Sequence, residues 1–143
     1  MKTVLVTGAG RGIGLATAKK FSSMGWEVLS LDKQFDDDYV GERIQFDLRC
    51  LDKISKLIDG LDPIDTLVNN AAVLFCDPVD AIPEKHVREI LEVNLLAPAR
   101  LIESVSPYMQ SRGGGRIVSV GSVSAFTGHP DLCLLYTSDA ADE

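Results

Sequence analysis

The stretch Val4-Leu5-Val6-Thr7-Gly8-Ala9-Gly10-Arg11-Gly12-Ile13-Gly14 decides the fold of this chain. A short continuous apolar run ends at a cluster of glycines, the pattern of a strand buried on both faces. From about Gly12 to Met24 the residues Ile13, Ala16, Thr17, Lys20 and Phe21 recur at helical spacing, and Gly25 supplies the stop. A strand that turns through glycines into a helix is built to receive phosphate. Glycine adopts positive φ at little cost and lets a pyrophosphate approach the backbone. The helix start presents unpaired N–H groups and the positive end of its dipole. Glycines alone are a weak signal; their place between a strand and a helix gives them meaning.

Working outward, Glu27 to Leu31 reads as a second strand that closes on Asp32, eighteen positions beyond Gly14. A carboxylate there accepts hydrogen bonds from ribose hydroxyls and repels a 2′-phosphate, which favours NAD over NADP as cofactor. Arg11 and Lys33 pull the other way, toward NADP. Asp36-Asp37-Asp38 is a solvated acidic turn. Arg43 to Leu48 gives a third strand and Leu51 to Leu61 a helix, stopped by Pro63. Ile64 to Val68 is a fourth strand, ending in Asn69-Asn70-Ala71-Ala72. Pro83 and Glu84 begin a long helical region with Val87, Ile90, Leu91, Leu95, Ile102 and Val105 as its apolar positions and a kink expected at Pro98. Gly113-Gly114-Gly115 turns into a fifth strand over Ile117 to Val120. Strands alternating with helices imply right-handed crossovers and a doubly wound α/β fold around a parallel sheet.

The bulk properties fit one soluble domain. Of 143 residues, 45% are hydrophobic and 24% charged, which supports a single core and not two. A net charge of -7 repels nucleic acid and anionic membrane surfaces, so neither is expected as a partner. Cys50, Cys76 and Cys133 lack the paired spacing of a disulfide framework or zinc site, so reduced thiols and no metal are expected. After Met1 and Lys2 the apolar run spans only Val4 to Val6, and no stretch nears the ~20 apolar residues of a membrane span. A cytoplasmic location is the expectation.

The spacing Thr7-Gly8-x-x-x-Gly12-x-Gly14 differs from the plain dinucleotide fingerprint and resembles that of the ordinary short-chain dehydrogenases/reductases. Four further motifs agree in order and context. Asp47-Leu48 is similar to the family's adenine-contacting pair, and Asn69-Asn70-Ala71-Ala72 resembles its Asn-Asn-Ala-Gly motif with Ala72 replacing glycine. Asn94 matches the helix asparagine of the catalytic tetrad, and Ser122 its catalytic serine. The resemblance covers roughly residues 2 to 132. It implies a Rossmann-type domain over 1–132 that breaks off after about the fifth strand. It also implies an NAD(P)-dependent oxidoreductase that moves a hydride between nicotinamide and a small alcohol or ketone. Thr7, Gly8, Arg11, Gly12, Ile13, Gly14, Asp32, Asp47, Leu48, Asn70, Ala71 and Ala72 would hold the cofactor. Asn94 and Ser122 would supply part of the catalytic set, and the parent protein would be a homo-oligomer, a tetramer or a dimer.

The match departs from the family near the C-terminal end. The family expects Tyr-x-x-x-Lys thirteen residues after the serine, where Leu135 stands; Tyr136 is one step late, and Ala140 takes the lysine position. A tyrosine without a neighbouring cation keeps a pKa near ~10 and is a poor proton relay at neutral pH. The tail 133–143 is small and acidic where the family has an apolar helix, and it resembles translated adapter sequence. The native sequence is therefore expected to diverge at about residue 133, leaving this chain catalytically inert. A non-catalytic dinucleotide-binding regulatory protein is the alternative.

Overall fold

The computed structural model describes residues 1–78 and 80–127. Its elements are β1 (Thr3–Thr7), α1 (Gly12–Ser23), β2 (Glu27–Asp32), β3 (Glu42–Gln45), α2 (Ile54–Asp59), β4 (Thr66–Asn69), α3 (Glu84–Ile90), α4 (Ala97–Ser111) and β5 (Arg116–Ser119). The strands pair in parallel in the order β3-β2-β1-β4-β5.

All five residues of β1 are buried, as a strand covered on both faces must be. Alternation divides them. Leu5 joins Leu29, Leu31 and Leu67 against Ile54 and Ile58 of α2 and Leu101, Val105 and Met109 of α4. Val4 and Val6 point the opposite way with Val28 and Val68, onto Ala18 and Phe21 of α1. The sheet is thus doubly wound, with helices on both faces.

Several expected boundaries shift, each for a local reason. Helix α1 ends at Ser23, and Gly25 follows at φ 77°. The third strand stops at Gln45 rather than Leu48, because the Asp47 side chain accepts the Arg49 N–H at 3.0 Å and turns the chain. The expected helix over Leu51 to Leu61 divides into a 3-10 turn (Leu51–Lys53) and α2, which ends at Asp59, ahead of Pro63. The N–H groups of Gly60 and Leu61 bond three residues back, to Leu57 and Ile58, and tighten its end. The fourth and fifth strands each fall within one or two residues of expectation.

The connection from β2 to β3 is the expected turn. In it Phe35 and Tyr39 pack edge to face at 5.5 Å beneath the Arg43 guanidinium, and Lys19 of α1 pairs with Asp38. The acidic turn is therefore partly anchored to α1. The long helix is interrupted by a π turn over Leu91–Leu96 between α3 and α4, instead of a kink at Pro98. Proline has no N–H, and its ring collides with the carbonyl four residues back, here Asn94. A wider turn ahead of Pro98 relieves that collision.

Candidate cofactor site

The chain leaves β1 toward β2 and β3 on one side of the sheet, and the later strands β4 and β5 lie on the other. Beyond the carboxyl ends of β1 and β4 this reversal opens a crevice, the place where open α/β sheets bind ligands. Two side chains lock its walls together. Buried Thr7 accepts the N–H groups of Asn70 and Ala71 at 3.0 Å each and donates to the Val68 carbonyl at 3.3 Å. The Asn70 amide donates back to the Thr7 carbonyl at 2.9 Å and the Gly8 carbonyl at 3.4 Å.

The glycines serve different needs. Gly12 has φ 56° with open space around it, so its requirement is conformational. Gly14 has ordinary φ but no room: a Cβ would lie 2.0 Å from the Gly8 carbonyl oxygen and 2.6 Å from the Asn70 amide nitrogen. Gly10, not singled out from the sequence, is equally confined, 2.1 Å from the Gln34 carbonyl oxygen. Its N–H donates to the Asp32 carboxylate at 2.9 Å, and the Gln34 N–H holds the other Asp32 oxygen at 3.2 Å. Asp32 is thereby fixed in position with lone pairs to spare. Arg11 stands at the start of α1 in extended conformation; no side chain caps the helix, and its first turn carries no acidic residue. The first-turn amides are left for a ligand or water.

A cleft of about 430 Å³ follows. It brings together Gly8, Arg11, Asp32, Asp47, Leu48, Asn70, Ala71 and Ala72 of the expected cofactor residues. Thr7, Gly12, Ile13 and Gly14 do not line it; Thr7 and Gly14 act behind the wall, and Ile13 is exposed. Lys33, weighed from the sequence for its pull on a 2′-phosphate, also lines it, and sequence reasoning missed Arg49, Glu89 and Val93. Arg49 adjoins a recognised motif and was findable; Glu89 and Val93 carry no sequence signal.

At one end Arg49 clasps Asp47 with Nε at 3.0 Å from both carboxylate oxygens and Nη2 at 2.5 Å from Oδ2. Its Nη1 lies 3.7 Å from Glu89 of α3. This clasp holds the Asp47 carboxyl below its ordinary value of 3.8. A depressed carboxyl stabilises the fold above its unfolded pKa and loses that contribution as pH falls through the folded value. Both partners are partly exposed, so the stabilisation is small. Carboxyl-carbon NMR is expected to show Asp47 titrating below 3.8 in the wild type and returning toward that value in Arg49→Met.

The two residues matched to catalysis lie elsewhere. Asn94 is buried in the π turn; its Oδ1 accepts the Val73 N–H at 2.8 Å and its Nδ2 donates to the Val73 carbonyl at 3.0 Å. Ser122 is half-buried and accepts the Ser124 N–H at 3.2 Å, capping a 3-10 turn over Val123–Ala125. Neither lines the cleft. Asn94 instead braces the segment Val73 to Phe75, which does. Cys133, Leu135, Tyr136 and Ala140 lie outside the described residues. Among the described residues no helix is long and apolar enough to cross a membrane.

Residues 2–141 match the family model for short chain dehydrogenase. The chain is 31% identical over 153 residues to galactitol 2-dehydrogenase of Agrobacterium fabrum, covering 98% of this chain and 60% of that protein. It is likewise 31% identical to D-xylose 1-dehydrogenase of Caulobacter vibrioides, covering 99% of this chain and 62% of that one. Among solved structures, 4-hydroxyisoleucine dehydrogenase complexed with NADH superposes with a TM-score of 0.92 at 28% identity, covering 99% of this chain and 64% of its own. A ligand-free aldohexose dehydrogenase of Thermoplasma acidophilum gives 0.92 at 29%, covering 99% and 57%. A parallel glycine-turn sheet of this order and a match across nearly its whole length define the class: the chain belongs to the short-chain dehydrogenase family. It spans about 60% of the length of the relatives named here.

Proposed function

We propose that this chain binds a nicotinamide dinucleotide, NAD in preference to NADP, and belongs to a cytoplasmic oxidoreductase acting on a small alcohol or ketone. One observation carries the reading: the residue before an uncapped helix, Arg11, lines a cleft together with Asp32, a carboxylate pinned by the glycine loop itself. The amides of α1 suit the diphosphate, and both Asp32 oxygens suit a pair of ribose hydroxyls. Asp47 and Leu48 would flank the base. Arg11 and Lys33 keep NADP as the alternative, and structural relatives solved with NADH and with NADP support either form. The likeness to galactitol, xylose and aldohexose dehydrogenases supports a hydroxyl-rich substrate.

The cofactor would supply or accept the hydride. Asn94 would position the cleft wall through Val73, and the Ser122 hydroxyl would orient the substrate oxygen. A homo-oligomeric parent protein forms part of this reading. The test is equilibrium binding of NADH and NADPH, followed by fluorescence. Asp32→Asn removes the charge and keeps one of the two oxygens that accept the Gly10 and Gln34 N–H groups. It is expected to raise affinity for NADPH relative to NADH about tenfold, or 1.4 kcal/mol. No measurable affinity for either dinucleotide sinks the proposal; a full-length clone that lacks Tyr-x-x-x-Lys favours the regulatory alternative.

A further inference from the structure

Asp47 and Arg49 are neighbours in the sequence, yet the way they meet has a chemical consequence. An ionised carboxylate offers about four acceptor positions. At Asp47, Oδ1 accepts the Arg49 backbone N–H and Nε at 3.0 Å each, while Oδ2 accepts Nε at 3.0 Å and Nη2 at 2.5 Å. One residue thus places three hydrogens on this carboxylate, the Nε–H shared between both oxygens, and engages most of its acceptor capacity. The Arg49 guanidinium has a second hold, reaching Glu89 on α3 at 3.7 Å. Asp47, Arg49 and Glu89 all line the cleft. The base end therefore presents a carboxylate already engaged, beside a cation that only donates.

We propose that Arg49 is a selectivity determinant for the purine base, occupying Asp47 and so weakening discrimination for the amino group of adenine. The proposal rests on the dinucleotide reading above. A free Asp47 carboxylate would accept from the adenine amino group and repel the carbonyl oxygen that replaces it in hypoxanthine. With the clasp in place, neither effect is at full strength. The planar fork is particular to arginine, since lysine offers a compact point charge that does not chelate a carboxylate.

The experiment compares binding of NADH with that of its hypoxanthine analogue, reduced nicotinamide hypoxanthine dinucleotide, by fluorescence titration. Wild type is expected to prefer NADH by no more than about threefold. Arg49→Met, which removes the guanidinium and leaves only the backbone N–H on Oδ1, is expected to widen the preference to about tenfold or more. Arg49→Lys is expected to widen it as well, because charge without the fork does not fill the carboxylate. Arg49 is exposed, so neither variant disturbs the core. An unchanged or narrowed preference in Arg49→Met overturns the proposal, as does a wild-type preference retained in Arg49→Lys. If wild type binds neither dinucleotide, the dinucleotide reading itself fails, a result separate from an unchanged ratio.

Discussion

Gly14→Ala is expected to abolish measurable dinucleotide binding and to lower stability by about 3 kcal/mol, the upper end for forcing an atom into filled space. The added methyl would sit 2.0 Å from the Gly8 carbonyl oxygen, which is backbone and has no rotamer to change. To admit it, α1 must move off the loop after β1 or break the Asn70 bonds that join that loop to β4. Either movement displaces the helix start from the cleft. Gly12→Ala provides the contrast. Its Cβ meets nothing, so the cost is the positive φ alone, about 1 kcal/mol. Thermal melts should rank the two clearly, with Gly14→Ala lower by roughly 10 °C than wild type for a chain of this size. Equal melting temperatures for the two variants would contradict the packing account.

Asn94→Leu is expected to cost about 3 kcal/mol and to weaken dinucleotide binding, through the wall segment and not through direct contact. Leucine is close in size but leaves both the N–H and the carbonyl of Val73 without their partner; each orphaned group in a part-buried site costs about 1–3 kcal/mol. Asn94→Asp separates the two bonds. Its carboxylate still accepts the Val73 N–H but faces the Val73 carbonyl with like charge, so it should also destabilise, more severely at neutral pH than in mild acid. Denaturant unfolding at pH 7 and pH 4.5 would read this difference. If Asn94→Leu left both stability and binding unchanged, the bracing role would be wrong.

The glycine loop, the Asp32 carboxylate and the strand-helix alternation were legible because each depends on local chemistry at short spacing. The parallel pairing of the strands followed from that alternation. What stayed hidden was geometry made by distant segments. Periodicity cannot show that Pro98 widens the preceding turn, since one extra residue barely shifts an apolar pattern. Nor does it show that Phe35 and Tyr39 pack beneath Arg43 in the turn between β2 and β3, because these residues read as an ordinary loop.

The sequence by itself determined the α/β class, the place of the phosphate-binding turn and most residues around it, because backbone preference and burial act through near neighbours. Only the tertiary structure decided why Gly10 and Gly14 must be glycine, what Asn94 holds, and how Arg49 joins Asp47 to Glu89 across the cleft. Those facts depend on which atoms approach within 3–4 Å once the sheet has brought remote elements together, and no local pattern encodes that approach.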